Sequence, residues 1–280
     1  MRLTSRSRIL EFSGRSLVMA ALNATPDSSV GSSRSMDPGS LAEKAVSAVH
    51  DGAGIIDIGG ESTGPESENV SMEEELRRVI PAVKAVRSAL PDVWISVDTS
   101  KAGVAKASLA SGADMINDVT AGRGDPAMLP FIAESGCPYI LMYAKDPSPR
   151  TTKADTHYDD VVAAIRAFLL ACKAACEEAG ISQIIVDPGL GHFVSSIPSY
   201  SFEILRRLRE FSDMGPVLVS PSRKSFLAGP EKLPSADRLP GTAAASAIAV
   251  MNGASYIRTH DVLEVRRACE IAEKILSTKH

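Results

Sequence analysis

The 280-residue chain has few cysteines, few aromatic residues and little net charge. Its four cysteines (Cys137, Cys172, Cys176, Cys269) are too few and too scattered for a disulfide scaffold. Cys172 and Cys176 lie one helical turn apart, but no histidine or second cysteine pair completes a zinc set. Helix packing in a reduced, cytoplasmic protein is the expected role. A net charge of -4 lacks the basic excess of a general nucleic-acid binder. No apolar run approaches the roughly 18 residues of a membrane span. The opening MRLTSRSRILEF lacks the continuous apolar segment of a signal peptide. Its arginines hint at a transit peptide, against which stand Glu11 and the short length. At 44% hydrophobic residues, the chain can build one large core or two small domains.

What the chain does have is alternation. Apolar runs at Leu17–Leu22, Gly54–Ile58, Val93–Val97, Asp114–Ile116, Tyr139–Met142, Gln183–Val186, Pro216–Val219 and Ser255–Ile257 read as buried strands. Helical segments fall between them, at Leu41–His50, Met72–Leu90, Lys101–Ser111, Pro126–Ser135, Tyr158–Ala179, Phe202–Ser212, Thr242–Asn252 and Val262–Leu276. Glu73–Glu75 suit a helix N-terminus, and Gly52, Gly112, Gly136, Gly180 and Gly253 mark helix ends. Strict alternation of this kind predicts an α/β fold, a (β/α)8 TIM barrel over residues 17–280. Residues 1–16 form a short N-terminal arm or hairpin that closes the bottom. An open doubly wound sheet is the alternative, but the first strand exits into Asn23-Ala24-Thr25 with no GxGxxG.

The polar residues gather at strand exits. The stretch PVLVSPSRKSFLAG ends an apolar run in Arg223 and Lys224, and a buried strand does not tolerate an unpaired cation. At least one of the two is therefore expected to face an anion. Asn23, Glu61 with Thr63, Asp98, Asn117, Met142-Tyr143, Asp187, and Arg258 with His260 occupy the other exits. In a barrel these converge on one mouth, the usual place of an active site. Asp98 precedes a helix, and Thr99 or Ser100 can cap that helix in its place. Asp98, Asn117 and Asp187 match a flat heterocycle with an amino-amidine edge. Lys224, Arg258 and His260 follow the last two strands, where this fold commonly binds phosphate. The residues thus point to a substrate with a polar ring end and an anionic phosphate end. The bland alternative is a structural salt bridge from Lys224 to Asp98 or Asp187.

The segments LNATPDS, IIDIGGEST, ISVDTSKAGVAKASLASGADMINDVTAG, DPGLG, SRKSFLAG, GTAAA and YIRTHDV, in this order, resemble the dihydropteroate synthase family from Leu17 to Leu276. The resemblance implies a (β/α)8 enzyme of folate synthesis. It implies a transferase that joins p-aminobenzoate to 6-hydroxymethyl-7,8-dihydropterin diphosphate and releases pyrophosphate. By that resemblance, Asp98, Asn117, Met142, Asp187 and Lys224 bind the pterin, while Asn23, Thr63, Arg258 and His260 hold the diphosphate. Thr63, Pro65, His192 and Ser225 border the aminobenzoate, and Asn23 lies near Mg²⁺. Asp98, Lys224, Arg258 and His260 carry the catalytic roles. A homodimer formed through the last helices is also implied.

Departures from the family pattern concentrate in the second-substrate region. Ser29 replaces an aromatic residue, Gly64 stands where an arginine is usual, and His192 and Val194 replace a phenylalanine and a lysine. Arg34 or Arg150, on long rim loops, can replace the missing arginine. The departures suggest a remodelled aminobenzoate pocket with reduced sulfonamide sensitivity. The alternatives are a same-scaffold enzyme using another amine, and a pterin-binding methyltransferase-like or non-catalytic homologue. A lysine at a strand end also admits Schiff-base chemistry, which requires a depressed pKa.

Overall fold

Eight short parallel strands wind into a barrel, each followed by helical cover. The structure, a computed structural model, describes residues 2–6, 8–11, 15–24 and 37–278. An antiparallel hairpin, β1 (Arg2–Ser5) and β2 (Arg8–Glu11), precedes the barrel. The barrel strands are β3 (Leu17–Asn23), β4 (Ile55–Gly59), β5 (Trp94–Asp98), β6 (Met115–Asp118), β7 (Tyr139–Met142), β8 (Ile184–Asp187), β9 (Leu218–Val219) and β10 (Tyr256–Thr259). Sequence neighbours pair in parallel from β3 to β8, and β10 bridges β3 and β9. A Val186–Val217 bridge and the hydrogen bond from Val186 N to Pro216 O, 3.0 Å, close the ring between β8 and β9.

The covering helices are α1 (Pro38–His50), α2 (Met72–Ala89), α3 (Ala102–Ser111), α4 (Met128–Ser135), α5 (Val161–Glu178), α6 (Pro198–Arg206), α7 (Leu239–Met251) and α8 (Val262–Ser277). Local chemistry sets their ends. Ser71 Oγ accepts from Glu74 N at 3.2 Å to cap α2, whose first turn carries Glu73, Glu74 and Glu75. The five glycines expected to end helices all take positive φ, as in Gly112 at 119°. Four helix starts shift by three or four residues: α1 begins at Pro38 rather than Leu41, α5 at Val161 rather than Tyr158, and α6 and α7 both begin early. The segment expected at Phe202–Ser212 starts earlier, with Pro198 in its first turn, and gives way after Arg206 to a 3₁₀ stretch, Leu208–Met214. Thr242 lies inside α7, which begins with Leu239 behind a 3₁₀ turn at Ser235–Arg238.

The barrel interior is stacked in tiers. Leu3 from the hairpin joins Met19, Ile55, Trp94, Met115, Ile140, Ile185, Leu218 and Tyr256 in one buried apolar cluster, with one side chain from every barrel strand. This tier is the floor. Strand side chains alternate with period two, so the residue two positions on points into the same interior, one tier higher.

Candidate active site

Counting two residues up from the floor gives Ala21, Asp57, Ser96, Asn117, Met142, Asp187, Ser220 and Arg258. Two further gives Asn23, Gly59, Asp98, Val119, Ala144, Gly189, Ser222 and His260. Seven of the strand-exit residues read from the sequence (Asn23, Asp98, Asn117, Met142, Asp187, Arg258 and His260) fall by this count into the second and third tiers, above an apolar floor, whereas Glu61, Thr63, Tyr143 and Lys224 lie outside it. Within the second tier Asp57 is the Cα partner of Ser96 across β4 and β5, and Met142 of Asp187 across β7 and β8; a two-residue slip between β5 and β6 sets third-tier Asp98 beside second-tier Asn117.

Arg258 is the hub of the second tier. Its Nε donates to Asp57 Oδ2 at 2.6 Å and its Nη2 to Asp98 Oδ2 at 2.9 Å. Asn117 Nδ2 lies 3.4 Å from the same Asp57 oxygen. Burial opposes the guanidinium charge, but Asp57 and Asp98 more than offset it and raise its pKa. Asp98 is pushed up to about 7, chiefly by burial, with Arg258 opposing and Asp57, Glu75 and Asp118 adding to the rise. Asp98 is free of capping duty, as expected, but the cap comes from elsewhere: Asp125 Oδ2 accepts from Ala102 N at 2.8 Å. Thr99 Oγ1 only accepts from Lys101 N.

Asp187 is buried and raised in pKa by that burial, with Lys224, the Gly189 N–H and Arg258 opposing. Gly189 donates to Asp187 Oδ1 at 2.8 Å. The turn requires glycine: φ is 70°, and an added Cβ would lie 2.5 Å from Tyr143 O. Lys224 is brought down to about 8 by burial, against the pull of Asp187. Its Nζ sits 5.0 Å from the centre of the Phe193 ring, at the edge of a small apolar cluster of Val119, Met142 and Ala144. Of the two adjacent cations, Lys224 therefore faces the site. Arg223 turns away, with φ 52°, into a bidentate pair with Asp261 at 2.5 and 2.8 Å.

Above these tiers lies a cavity of about 1070 Å³, walled among others by Asn23, Gly64, Pro65, His192, Phe193, Lys224, Ser225 and Arg238. Thr63 and Asp98 share a narrow recess with Glu61, Thr99 and Pro149. His260 stands at the rim, its Nδ1 3.1 Å from Ser222 Oγ, and its open face looks onto a smaller groove with Lys44, Ser47 and Asp51. Desolvation and the Arg258 charge lower its pKa, an effect tempered by solvent on that open face. Asn117, Asp187 and Arg258 are the deep members, and Lys224 links them to the large cavity.

The loop after β7 straps the rim. Thr151 N donates to Thr63 O at 3.2 Å, and Thr151 Oγ1 to His192 O at 2.7 Å. Arg150 Nη2 donates to Glu61 Oε1 at 2.8 Å, while Lys101 Nζ lies 2.5 Å from both Glu61 and Glu75. Arg150 thus reaches the loop after β4, where it is paired with Glu61. Ser29 and Arg34 lie outside the described residues.

Asp57 escaped the sequence reading, although it stands inside IIDIG, a strand otherwise wholly apolar. The logic applied to Lys224, that a buried strand does not keep an unpaired charge, would have singled it out. Its Oδ1, and the hydroxyl of its register partner Ser96, are buried without a partner among the described residues. Native interiors rarely leave such groups unmet, and a buried water is the ordinary partner of atoms like these. Among the described residues, no group of three or more His, Cys, Asp or Glu is arranged to hold a metal ion, and no helix is long and apolar enough to cross a membrane.

Comparison with known proteins agrees with this geometry. The model of the pterin-binding enzymes matches residues 19–260. The dihydropteroate synthase of Escherichia coli (strain K12) is 40% identical over 265 residues, covering 94% of this chain and 92% of that protein. A Yersinia pestis dihydropteroate synthase solved with a sulfonamide drug superposes with a TM-score of 0.91 at 37% identity, covering 99% of this chain and all of the other. A Xanthomonas albilineans dihydropteroate synthase in complex with 7,8-dihydropteroate superposes at 0.87, with 33% identity and full coverage of both chains. The chain belongs to the dihydropteroate synthase family of pterin-binding enzymes.

Proposed function

We infer that the chain is a transferase of folate synthesis that joins p-aminobenzoate to 6-hydroxymethyl-7,8-dihydropterin diphosphate and releases pyrophosphate. The observation that carries this is the meeting of Asp187, Asn117 and Arg258 in one buried tier, with Lys224 above them. The amino-amidine edge of the pterin faces Asn117 and Asp187, which offer an amide and a carboxylate. Met142 and its apolar neighbours supply a flat wall for the ring. Arg258 and His260, with Asn23 and Thr63 nearer the mouth, take the diphosphate. Thr63, Pro65, His192 and Ser225 border the acceptor.

The chemistry follows from the charges. The bond between the exocyclic methylene and the diphosphate oxygen breaks, and cations in place beforehand stabilise the charge growing on the leaving group. The methylene cation is delocalised over the electron-rich ring and stabilised by Asp98. The neutral aromatic amine forms the new C–N bond and gives up one proton. Orientation matters more than base catalysis, and no covalent enzyme intermediate is needed. Lys224 meets the pKa condition for an imine, but the reaction offers no carbonyl that requires one.

Asn23 presents a single amide to the large cavity. That suits a Mg²⁺ ion which arrives on the diphosphate and keeps water ligands, since Mg²⁺ commonly binds through few protein groups plus substrate phosphates. The ion would neutralise diphosphate charge.

Gly64 and His192 both line the cavity, which supports an altered acceptor pocket and weaker sulfonamide inhibition. Ile248 and Met251 of α7 and Ile271, Ile275 and Leu276 of α8 are exposed, which supports a homodimer through these helices. A cytoplasmic enzyme fits these properties. The test is pyrophosphate release from the dihydropterin diphosphate with Mg²⁺, with and without p-aminobenzoate. Acceptor-dependent release supports the reading. Release with another arylamine alone moves the chain to the second reading, and tight pterin binding without release refutes the activity.

A further inference from the structure

We propose that Asp57 is a positioning residue for the diphosphate: it anchors the inner edge of the Arg258 guanidinium so that the outer edge can pass from Asp98 to the anion. The inference rests on the proposed reaction but concerns a residue that reading leaves without a role.

The geometry makes the two carboxylates unequal. Asp57 is fully buried on β4 and holds Nε, the nitrogen nearest the Arg258 stem, at 2.6 Å. Asp98 stands one tier higher, keeps partial solvent access, and holds the terminal Nη2 at 2.9 Å. An incoming diphosphate meets the terminal nitrogens first, because they face the mouth side of the guanidinium. Replacing Asp98 by a phosphate oxygen exchanges one charge-assisted hydrogen bond for another. Replacing Asp57 would strand a carboxylate in the barrel core, at the cost of leaving a buried charge unpaired. The anion therefore displaces the outer contact and leaves the inner one.

The same exchange frees the Asp98 carboxylate when the leaving group is being captured, so it can face the cation developing on the ring. Asp57 also neutralises Arg258 in the empty chain, together with Asp98, which keeps the guanidinium folded into the tier rather than extended toward solvent. Both partners of Asp57 Oδ2, Arg258 and Asn117, are residues assigned to substrate, so the carboxylate joins the ring end of the site to its anion end.

The test compares Asp57→Asn with Asp98→Asn, reading inorganic pyrophosphate affinity by calorimetry alongside binding of 6-hydroxymethylpterin, which has no diphosphate. Asp57→Asn should weaken pyrophosphate binding about 10- to 100-fold, the range of one charge-assisted hydrogen bond, and pterin binding by far less. Asp98→Asn should leave pyrophosphate affinity unchanged or tighter, while turnover falls. Equal loss of both ligands in Asp57→Asn would mean a merely structural residue and overturn the proposal, as would unchanged pyrophosphate affinity. If Asp57→Asn does not fold, Asp98→Asn decides alone: a tenfold loss of pyrophosphate affinity there contradicts the exchange. Pyrophosphate binding is read without turnover, so the outcome is separable from failure of the synthase reaction itself.

Discussion

The floor of the barrel and the tier above it are made by the same eight strands, two residues apart, yet they share almost no chemistry. Ile55, Met115, Ile185 and Tyr256 are buried apolar side chains around the hairpin residue Leu3. Asp57, Asn117, Asp187 and Arg258 stand directly above them; Arg258 and Asn117 meet on Asp57 Oδ2, and Lys224, the Gly189 N–H and Arg258 oppose the burial of Asp187. The floor supplies the area removed from water that offsets the cost of the charges above. The upper tier gives up that gain for recognition. Stability and function are thus separated along the barrel axis by a single step of strand periodicity.

If that division holds, substitutions in the two tiers should fail in different ways. Asp187→Ala strips the buried Lys224 of its opposing charge and the pterin of its acceptor. The lost carboxylate would accept two hydrogen bonds from the pterin edge, each worth about 1.5–3 kcal/mol, so kcat/KM for the pterin diphosphate should fall by about 10²- to 10³-fold or more. Circular dichroism should show the fold retained. Ile185→Ala, one step lower on the same strand, should do the reverse. It should destabilise by about 2–5 kcal/mol in a denaturant titration, with turnover per folded molecule nearly unchanged. Equal damage to activity from both would erase the distinction.

Titration sharpens the contrast, because Asp98 and Lys224, which change charge near neutrality, both stand above the floor and not in it. Lys224 is brought down to about 8, so it loses its charge as pH rises through that value. kcat/KM should then fall about tenfold per pH unit on the alkaline side. Lys224→Arg, which keeps its charge, should move that limb beyond the accessible range. The linkage to stability has the opposite sign. Between about 8 and 10.5 the unfolded chain holds the proton that the folded chain has lost, so Lys224 makes the fold relatively more stable as pH rises through that window. The smallest effect belongs to the rim. Arg150→Ala removes a half-buried contact with Glu61 and loosens the loop that carries Thr63. The KM for the acceptor should rise about 3- to 10-fold with kcat little altered, the scale of an ordinary hydrogen bond of roughly 0.5–1.5 kcal/mol, because Arg150 acts on the acceptor only through the loop. Steady-state kinetics at saturating pterin diphosphate would show it.

The barrel was legible because every strand is a short apolar run ending in something polar, and that rhythm has few solutions. The exits Asp98, Asn117, Asp187, Lys224 and Arg258 could be read as one site for the same reason. Asp57 was hidden because attention to strand ends passes over a charge in mid-strand. Only the phase of the alternation, fixed by the floor, shows that it points inward with Arg258. The partners of Arg258 were equally unreadable, since Asp57 and Asp98 lie 201 and 160 residues away and no local pattern links them. The start of α6 lies ahead of the apolar pattern that begins at Phe202, because Pro198 is compatible with a first helical turn. The cap of α3 lies outside any local pattern, because its acceptor, Asp125, comes from the next loop rather than from the helix's own entry.

The most direct test is a crystal structure of the chain with the dihydropterin diphosphate and Mg²⁺. Density should place the amino edge of the ring against Asn117 and Asp187, and the diphosphate by Arg258, His260 and Asn23, above an undisturbed floor. A ring bound elsewhere in the large cavity, with Asp187 and Arg258 untouched beneath it, would contradict the account.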